Sequence, residues 1–246
     1  MSTVLTVILT HQTATAVARM MNYWQDYNAS ENILIAYGGL KPEFELVAHP
    51  HKVFIDDPRL RTQDHQRELQ SYTSIFREAH RFLPARPLVE YIHFVEFDHL
   101  PLVRDLNQRQ IARLRDENAD VLGFHLNRVD DTNNAHFLYY IHRDEVVSYW
   151  QRTTSRSDHS VVLSMFGTGS FWTRQAFSAV AEAKEPFQMY MELYLPTLAH
   201  HLGFRLRDFG EQERFVQVSS DMTANIERTR SQGAWTLHPV KQLWNN

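Results

Sequence analysis

From Val4 to Leu126 the chain alternates short apolar runs with stretches of helical periodicity, and this alternation most limits what it can fold into. Residues 4–9, 32–36, 52–55, 91–97 and 119–126 have the length and apolar character of buried strands. Between them, Ala14, Val17, Met21 and Trp24 share one helical face that begins at Thr13. Leu69, Tyr72, Phe76, Ala79 and Leu83 recur at 3-4-3-4 spacing, with Asp64 available as a cap, and residues 102–116 read as a further helix. Strands alternating with helices predict an α/β fold with a Rossmann-like, mixed but mainly parallel central sheet flanked by helices.

Beyond Arg128 the pattern loosens. Asp130-Asp131-Thr132-Asn133-Asn134 is a turn, and residues 136–141 and 161–166 read as further strands, candidates for antiparallel pairing. Gly167-Thr168-Gly169-Ser170 reads as a loop, followed by helical patterns from Thr173 and from Met189. Pro196 is expected to kink the second of these or to begin a new first turn. Residues 215–246 are polar and weakly patterned. No linker divides the chain, so residues 1–246 are expected to form a single domain, with halves at 1–128 and 129–246.

Composition removes several function classes. At 246 residues the chain can bury a sizeable core. Its net charge of −4 gives no electrostatic reason to expect general nucleic-acid binding. The absence of cysteine excludes disulfides and thiolate metal sites, and suits a reducing compartment. The first residues lack the basic region of a signal peptide, and no run reaches the roughly 18 apolar residues of a membrane span. A cytoplasmic protein is the expectation. Fourteen histidines are many, so charge and solubility are expected to respond to pH near neutrality.

The chemistry concentrates where the fourth apolar run ends, in Glu96-Phe97-Asp98. Open α/β sheets bind ligands at the carboxyl ends of their strands, and two carboxylates there suit a hard divalent cation. A strand that simply ends in polar residues is the plainer alternative. Three later features join the pair: Gly167-Thr168-Gly169-Ser170-Phe171-Trp172, the acidic residue Glu192 at a helix start, and His238-Pro239-Val240-Lys241. A solvated loop, a surface helix glutamate and an unengaged late histidine are the alternatives for each. His49 with His51, and His200 with His201, are weaker metal candidates, and His99 beside the acidic pair reads as solvent-facing.

In type and order these motifs resemble, over most of the chain, the GT-A class of nucleotide-sugar glycosyltransferases, most closely its family-2-like members. The resemblance implies that residues 1–128 bind nucleotide and residues 129–246 bind acceptor. Glu96-Phe97-Asp98 would stand for the Asp-x-Asp motif that holds Mn²⁺ or Mg²⁺ against a nucleoside diphosphate, UDP first among them. Glu replaces the first Asp, so Asp98 is the better direct ligand and Glu96 reaches either the metal, a water on it or the ribose. His238 would complete the metal site and Lys241 would approach the diphosphate. Gly169 and Ser170 would lie against the donor, with Phe171 and Trp172 as a sugar-stacking surface or as core. Thr10, His11, Gln12, Tyr37 and Gly38 would line the base pocket, joined by Asp64 and Arg67. Glu192 would be the base that activates an acceptor hydroxyl in an inverting reaction, with Asp158 and Asp208 as substitutes. A sugar-nucleotide nucleotidyltransferase ranks lower, because Leu9-Thr10-His11-Gln12-Thr13-Ala14-Thr15 has none of the glycine needed to cradle a triphosphate. A non-catalytic carbohydrate- or partner-binding module on the same scaffold is the alternative from another class.

Overall fold

The computed structural model describes residues 3–27, 32–61, 73–129, 143–154, 156–183, 190–210 and 222–240. Strand β1 (Val4–Thr10) leads into helix α1 (Ala14–Gln25), whose first turn is closed by Thr13 Oγ1 accepting the Ala16 N–H. The buried face of α1 is Ala16, Val17, Met20, Met21 and Trp24. Strand β2 (Ile33–Tyr37), the short helix α2 (Lys41–Leu46) and strand β3 (Lys52–Phe54) follow. Glu43 of α2 accepts the Ala14 N–H at 2.9 Å, placing a carboxylate at the positive end of α1.

Helix α3 (Thr73–His80), strands β4 (Tyr91–Glu96) and β5 (Leu100–Pro101), helix α4 (Leu106–Asp116) and strands β6 (Val121–Gly123) and β7 (Asn127–Arg128) come next. Then come helix α5 (Arg143–Thr153), strands β8 (Leu163–Ser164) and β9 (Ser170–Thr173), and helices α6 (Arg174–Glu182) and α7 (Met191–His201). Strand β10 (Leu206–Asp208), helix α8 (Met222–Ser231) and strand β11 (Thr236–Leu237) complete the described elements.

The central sheet has seven strands in the order β10-β6-β9-β4-β1-β2-β3. All its neighbours are parallel except those of β9, which runs antiparallel to both β4 and β6. Both faces are covered, which is why the strands read as unbroken apolar runs. Leu5, Val7, Leu34 and Phe94 pack on one side with α3, α6 and α7, while Ile8, Ile35 and Val95 pack on the other with α1, Ile226 and Leu237. The mainly parallel, helix-flanked sheet is the one the alternating pattern predicts.

Several local expectations change. Residues 170–173 form a central strand, where the sequence suggests a loop leading to a helix; α6 does begin after Thr173, which caps it. Phe171 and Trp172 are fully buried, so they are core and offer no stacking surface for a sugar. The strands near 119–126 and 161–166 shorten to β6 and β8, and the helix near 102–116 begins at Leu106. Leu83 lies beyond α3 in a short 3₁₀ turn. The weakly patterned late segment contains α8 and β11. Asp64, Arg67, Leu69, Tyr72 and the strand expected at 136–141 lie outside the described residues.

Pro196 neither ends α7 nor restarts it. Proline lacks the N–H that would bond the carbonyl four residues earlier, which belongs to Glu192. The Met165 N–H takes that carbonyl instead, at 3.0 Å.

Phe76 is the aromatic hub beneath this sheet. Its ring lies 5.3 Å from Phe94, 5.4 Å from Trp172 and 4.6 Å from Phe177, and it is fully buried. Phe76→Ala is expected to cost about 3–5 kcal/mol in chemical denaturation. A loss under about 1 kcal/mol would mean that this face repacks freely.

Candidate functional site

The parallel strands β1, β2 and β4 end on one edge of the sheet, and antiparallel β9 begins there, with Ser170 opposite Phe94. Glu96 is the last residue of β4. The His99 N–H donates to the Glu96 carbonyl at 3.0 Å, so the chain turns immediately and carries Asp98 back toward the strand end. β5 then pairs antiparallel with β11, matching Leu100 to Leu237 and Pro101 to Thr236. The Leu102 N–H donates to the Trp235 carbonyl at 2.7 Å, and the Val240 N–H donates to the Asp98 carbonyl at 2.9 Å. Those bonds bracket His238 and hold it over the acidic pair; the His238-Pro239 peptide is cis.

His238 Nε2 lies 3.4 Å from Asp98 Oδ1 and 3.9 Å from Glu96 Oε2. One ligand atom from each of Glu96, Asp98 and His238 falls within 4.8 Å of the others. Asp98 is only 2% exposed, and its Oδ1 accepts no hydrogen bond among the described residues. A buried carboxylate oxygen in that condition is costly unless a positive charge meets it. Two hard oxygen donors with one imidazole form a set that a divalent cation fits.

The Gly-rich segment sits beside this cluster. The Gly169 N–H donates to the Phe94 carbonyl at 2.8 Å, in a backbone conformation (φ +77°) that favours glycine. A Cβ there would lie 2.5 Å from His99 Cε1 and 2.6 Å from Phe124 Cε2. The close approach expected of Gly169 is therefore an approach to protein rings. Ser170 is fully buried; its hydroxyl donates to the Gly167 carbonyl at 3.0 Å and accepts the Trp172 indole N–H at 2.9 Å. That hydroxyl is committed to the loop, where the resemblance would lay it against the donor.

Glu192 lies in the first turn of α7, half-buried, and its Oε1 accepts the Gly167 N–H at 2.9 Å. The loop thus runs from Glu192 at one end to the acidic strand end at the other. Asp208, a substitute for Glu192 by residue type, accepts the Leu126 and Gly210 N–H groups, and Asp158 accepts from Ser160 and Arg128.

At the ends of β1 and β2, Thr10, Tyr37 and Gly38 are buried, Gln12 is half-buried and His11 is exposed. The Gly38 N–H donates to the Thr10 carbonyl at 2.8 Å, and the Tyr37 hydroxyl donates to the Gln12 carbonyl at 2.8 Å. Burial, with Glu43 nearby, pushes the Tyr37 phenol up to about 12. Thr10, Tyr37 and Gly38 therefore shape the ledge, and the side chains of His11 and Gln12 reach solvent. His11 stands edge-on to Phe97, ring centroids 5.2 Å apart, beside the acidic turn. Lys241, Asp64 and Arg67 lie outside the described residues.

Two residues that sequence reasoning missed join the site. His99 is buried, not solvent-facing, and its ring stacks on His238 at 5.6 Å. Burial first, then His238 and His93, hold its imidazole well below the ordinary range. Thr168 is buried, with Oγ1 accepting the Glu96 N–H at 2.8 Å. The other histidine pairs are engaged elsewhere. His51 Nε2 faces an Arg86 guanidinium nitrogen at 2.8 Å, a poor setting for a cation, and His201 stacks on Trp150 at 4.4 Å.

No helix among the described residues is long and apolar enough to cross a membrane. No protein-family model matches the sequence, and no curated relative does. Similar solved structures include a candidate glucose-1-phosphate thymidylyltransferase from Bacillus anthracis in complex with sucrose, at 9% identity and TM-score 0.43, covering 94% of this chain and 95% of that one. Apo WbbM bifunctional glycosyltransferase is 13% identical at TM-score 0.43; 96% of this chain is covered but only 45% of that one. A glycosyltransferase involved in glycosylation of the major capsid of PBCV-1 is 10% identical at TM-score 0.43, with 96% and 91% covered.

Proposed function

We propose that this chain is a metal-dependent glycosyltransferase of GT-A type, moving a sugar from a nucleoside-diphosphate sugar, with UDP-sugars the first donors to test, to an acceptor hydroxyl. The observation that carries the reading is the cluster of Glu96, Asp98 and His238 at the carboxyl edge of a mainly parallel sheet, with a buried carboxylate oxygen lacking a hydrogen-bond partner among the described residues. On this reading residues 1–128 hold the donor, and residues 129–246 hold the acceptor and supply His238.

Asp98 and His238 would hold the cation directly, and Glu96 would meet the cation or a water on it. A divalent cation held by them supplies Lewis-acid stabilisation of the charge that gathers on a departing nucleoside diphosphate. His11 and Gln12 stand on the ledge where the nucleoside would lie. In the transfer itself, the acceptor oxygen bonds to the anomeric carbon as the bond from that carbon to the diphosphate oxygen breaks. The proton lost by the acceptor hydroxyl goes to Glu192, whose carboxylate direction is fixed by the hydrogen bond that Oε1 accepts from Gly167. Attack opposite the leaving group inverts the anomeric centre.

Calorimetric titration with Mn²⁺ and UDP tests the metal site. UDP is expected to bind tightly only with the cation present. Saturation at about 100 times Kd adds about 2.7 kcal/mol of stability, a rise in melting temperature of about 5–10 °C. Asp98→Asn should abolish cation binding and His238→Ala should weaken it. UDP affinity indifferent to EDTA would remove the metal from the reading, and failure of every nucleotide to bind would remove the donor class as well.

Glu192→Gln keeps an oxygen to accept from Gly167 but takes no proton. It is expected to leave UDP binding unchanged and to slow transfer by about 10²–10⁴. Transfer at the wild-type rate would eliminate Glu192 as the base.

A further inference from the structure

Thr168 lies inside the Gly-rich motif with no role of its own assigned to it there, yet it touches the supports of two of the three clustered residues. Its side chain is 4% exposed. Oγ1 accepts the Glu96 N–H at 2.8 Å, across a sequence separation of 72 residues, and so fixes the backbone from which the Glu96 carboxylate projects. The same oxygen lies 3.3 Å from His99 Nδ1. His99 is buried, and its ring lies nearly parallel to that of His238, 25° apart in plane. One hydroxyl therefore reaches Glu96 through the main chain and His238 through a stacked imidazole.

The geometry around Thr168 leaves little slack. Gly167 is held by the Glu192 carboxylate on one side, and Gly169 by the Phe94 carbonyl on the other. Gly169 presses so closely on His99 and Phe124 that a methyl group has no room. His99 is thus confined between the loop and His238, and the hydrogen bond to Thr168 sets its rotation within that slot.

We infer that Thr168 is a positioning residue of the cation site, its hydroxyl setting Glu96 directly and His238 by way of His99. This rests on the cation site proposed above. Groups behind metal ligands orient them, and their loss typically costs about 10–100-fold in metal affinity.

Mn²⁺ affinity of the full chain, read by calorimetry or by electron paramagnetic resonance of free Mn²⁺, tests it without reference to transfer activity. Thr168→Val keeps the shape and removes the hydroxyl; its Kd for Mn²⁺ is expected to rise by about 10–100-fold. Thr168→Ser restores the hydroxyl and is expected to bind as the wild type does. A Thr168→Val protein that melts earlier but holds Mn²⁺ with the wild-type Kd would make Thr168 a fold residue only, leaving the cation site intact. Should Thr168→Val not fold, His99→Phe carries the test, since it keeps a ring on His238 but breaks the link to Thr168. It is expected to weaken Mn²⁺ binding in the wild-type background and not in a His238→Ala background, and an unchanged Kd in the wild-type background overturns the inference. A wild-type protein that binds no Mn²⁺ overturns the cation site and this inference together.

Discussion

The antiparallel pairing of Thr236–Leu237 with Leu100–Pro101 is the contact on which the candidate site depends. Glu96 and Asp98 are placed by their own strand and turn, but a pair of carboxylates with no third donor is a common surface feature. The short ribbon supplies what the local sequence cannot, an imidazole over a buried carboxylate. Its strength comes from more than two residues of ladder. Leu237 and Val240 are buried against the same face of the sheet as α1, so apolar burial, with four main-chain bonds or pairings in sequence order, fixes where His238 stands.

Strand β9 does for the Gly-rich segment what β11 does for His238. An all-parallel sheet would bring only strand ends to the carboxyl edge. By running the other way between β4 and β6, β9 brings a strand beginning there, together with the loop that precedes it. Glu192, the Gly167-Thr168-Gly169 loop and the acidic strand end are consequently neighbours, although far apart in sequence.

What the sequence disclosed follows from which signals are local. The strands β1, β2 and β4 are buried on both faces, so their apolar runs were plain, and α1 showed its buried face through Val17, Met21 and Trp24. Glu96, Asp98 and His238 were legible by residue type and order, and the fold brings one ligand atom of each within 4.8 Å of the others. β9 was hidden because it is four residues long, opens directly from glycine and buries both faces. α8 was hidden because Ile226 is the buried apolar residue among its described side chains, which are largely polar. His99 was misread because an imidazole beside two acids is ordinarily solvated, whereas here ring stacking and Gly169 enclose it. Thr168 carries no signal of its own, because its role exists only once two distant segments meet.

Pro196 has a consequence for anyone redesigning this chain. By intrinsic helix propensity it is the worst residue α7 contains, and a stability-minded redesign would replace it with alanine first. Such a replacement restores a main-chain donor four residues after Glu192, and that donor would compete with Met165 for the Glu192 carbonyl. Glu192 is stapled to the 165–167 segment twice, by its carbonyl and by its carboxylate, and the first staple uses the carbonyl that Pro196 leaves without its helical donor. The local defect in the helix thus leaves a main-chain acceptor facing the segment beside the acidic pair.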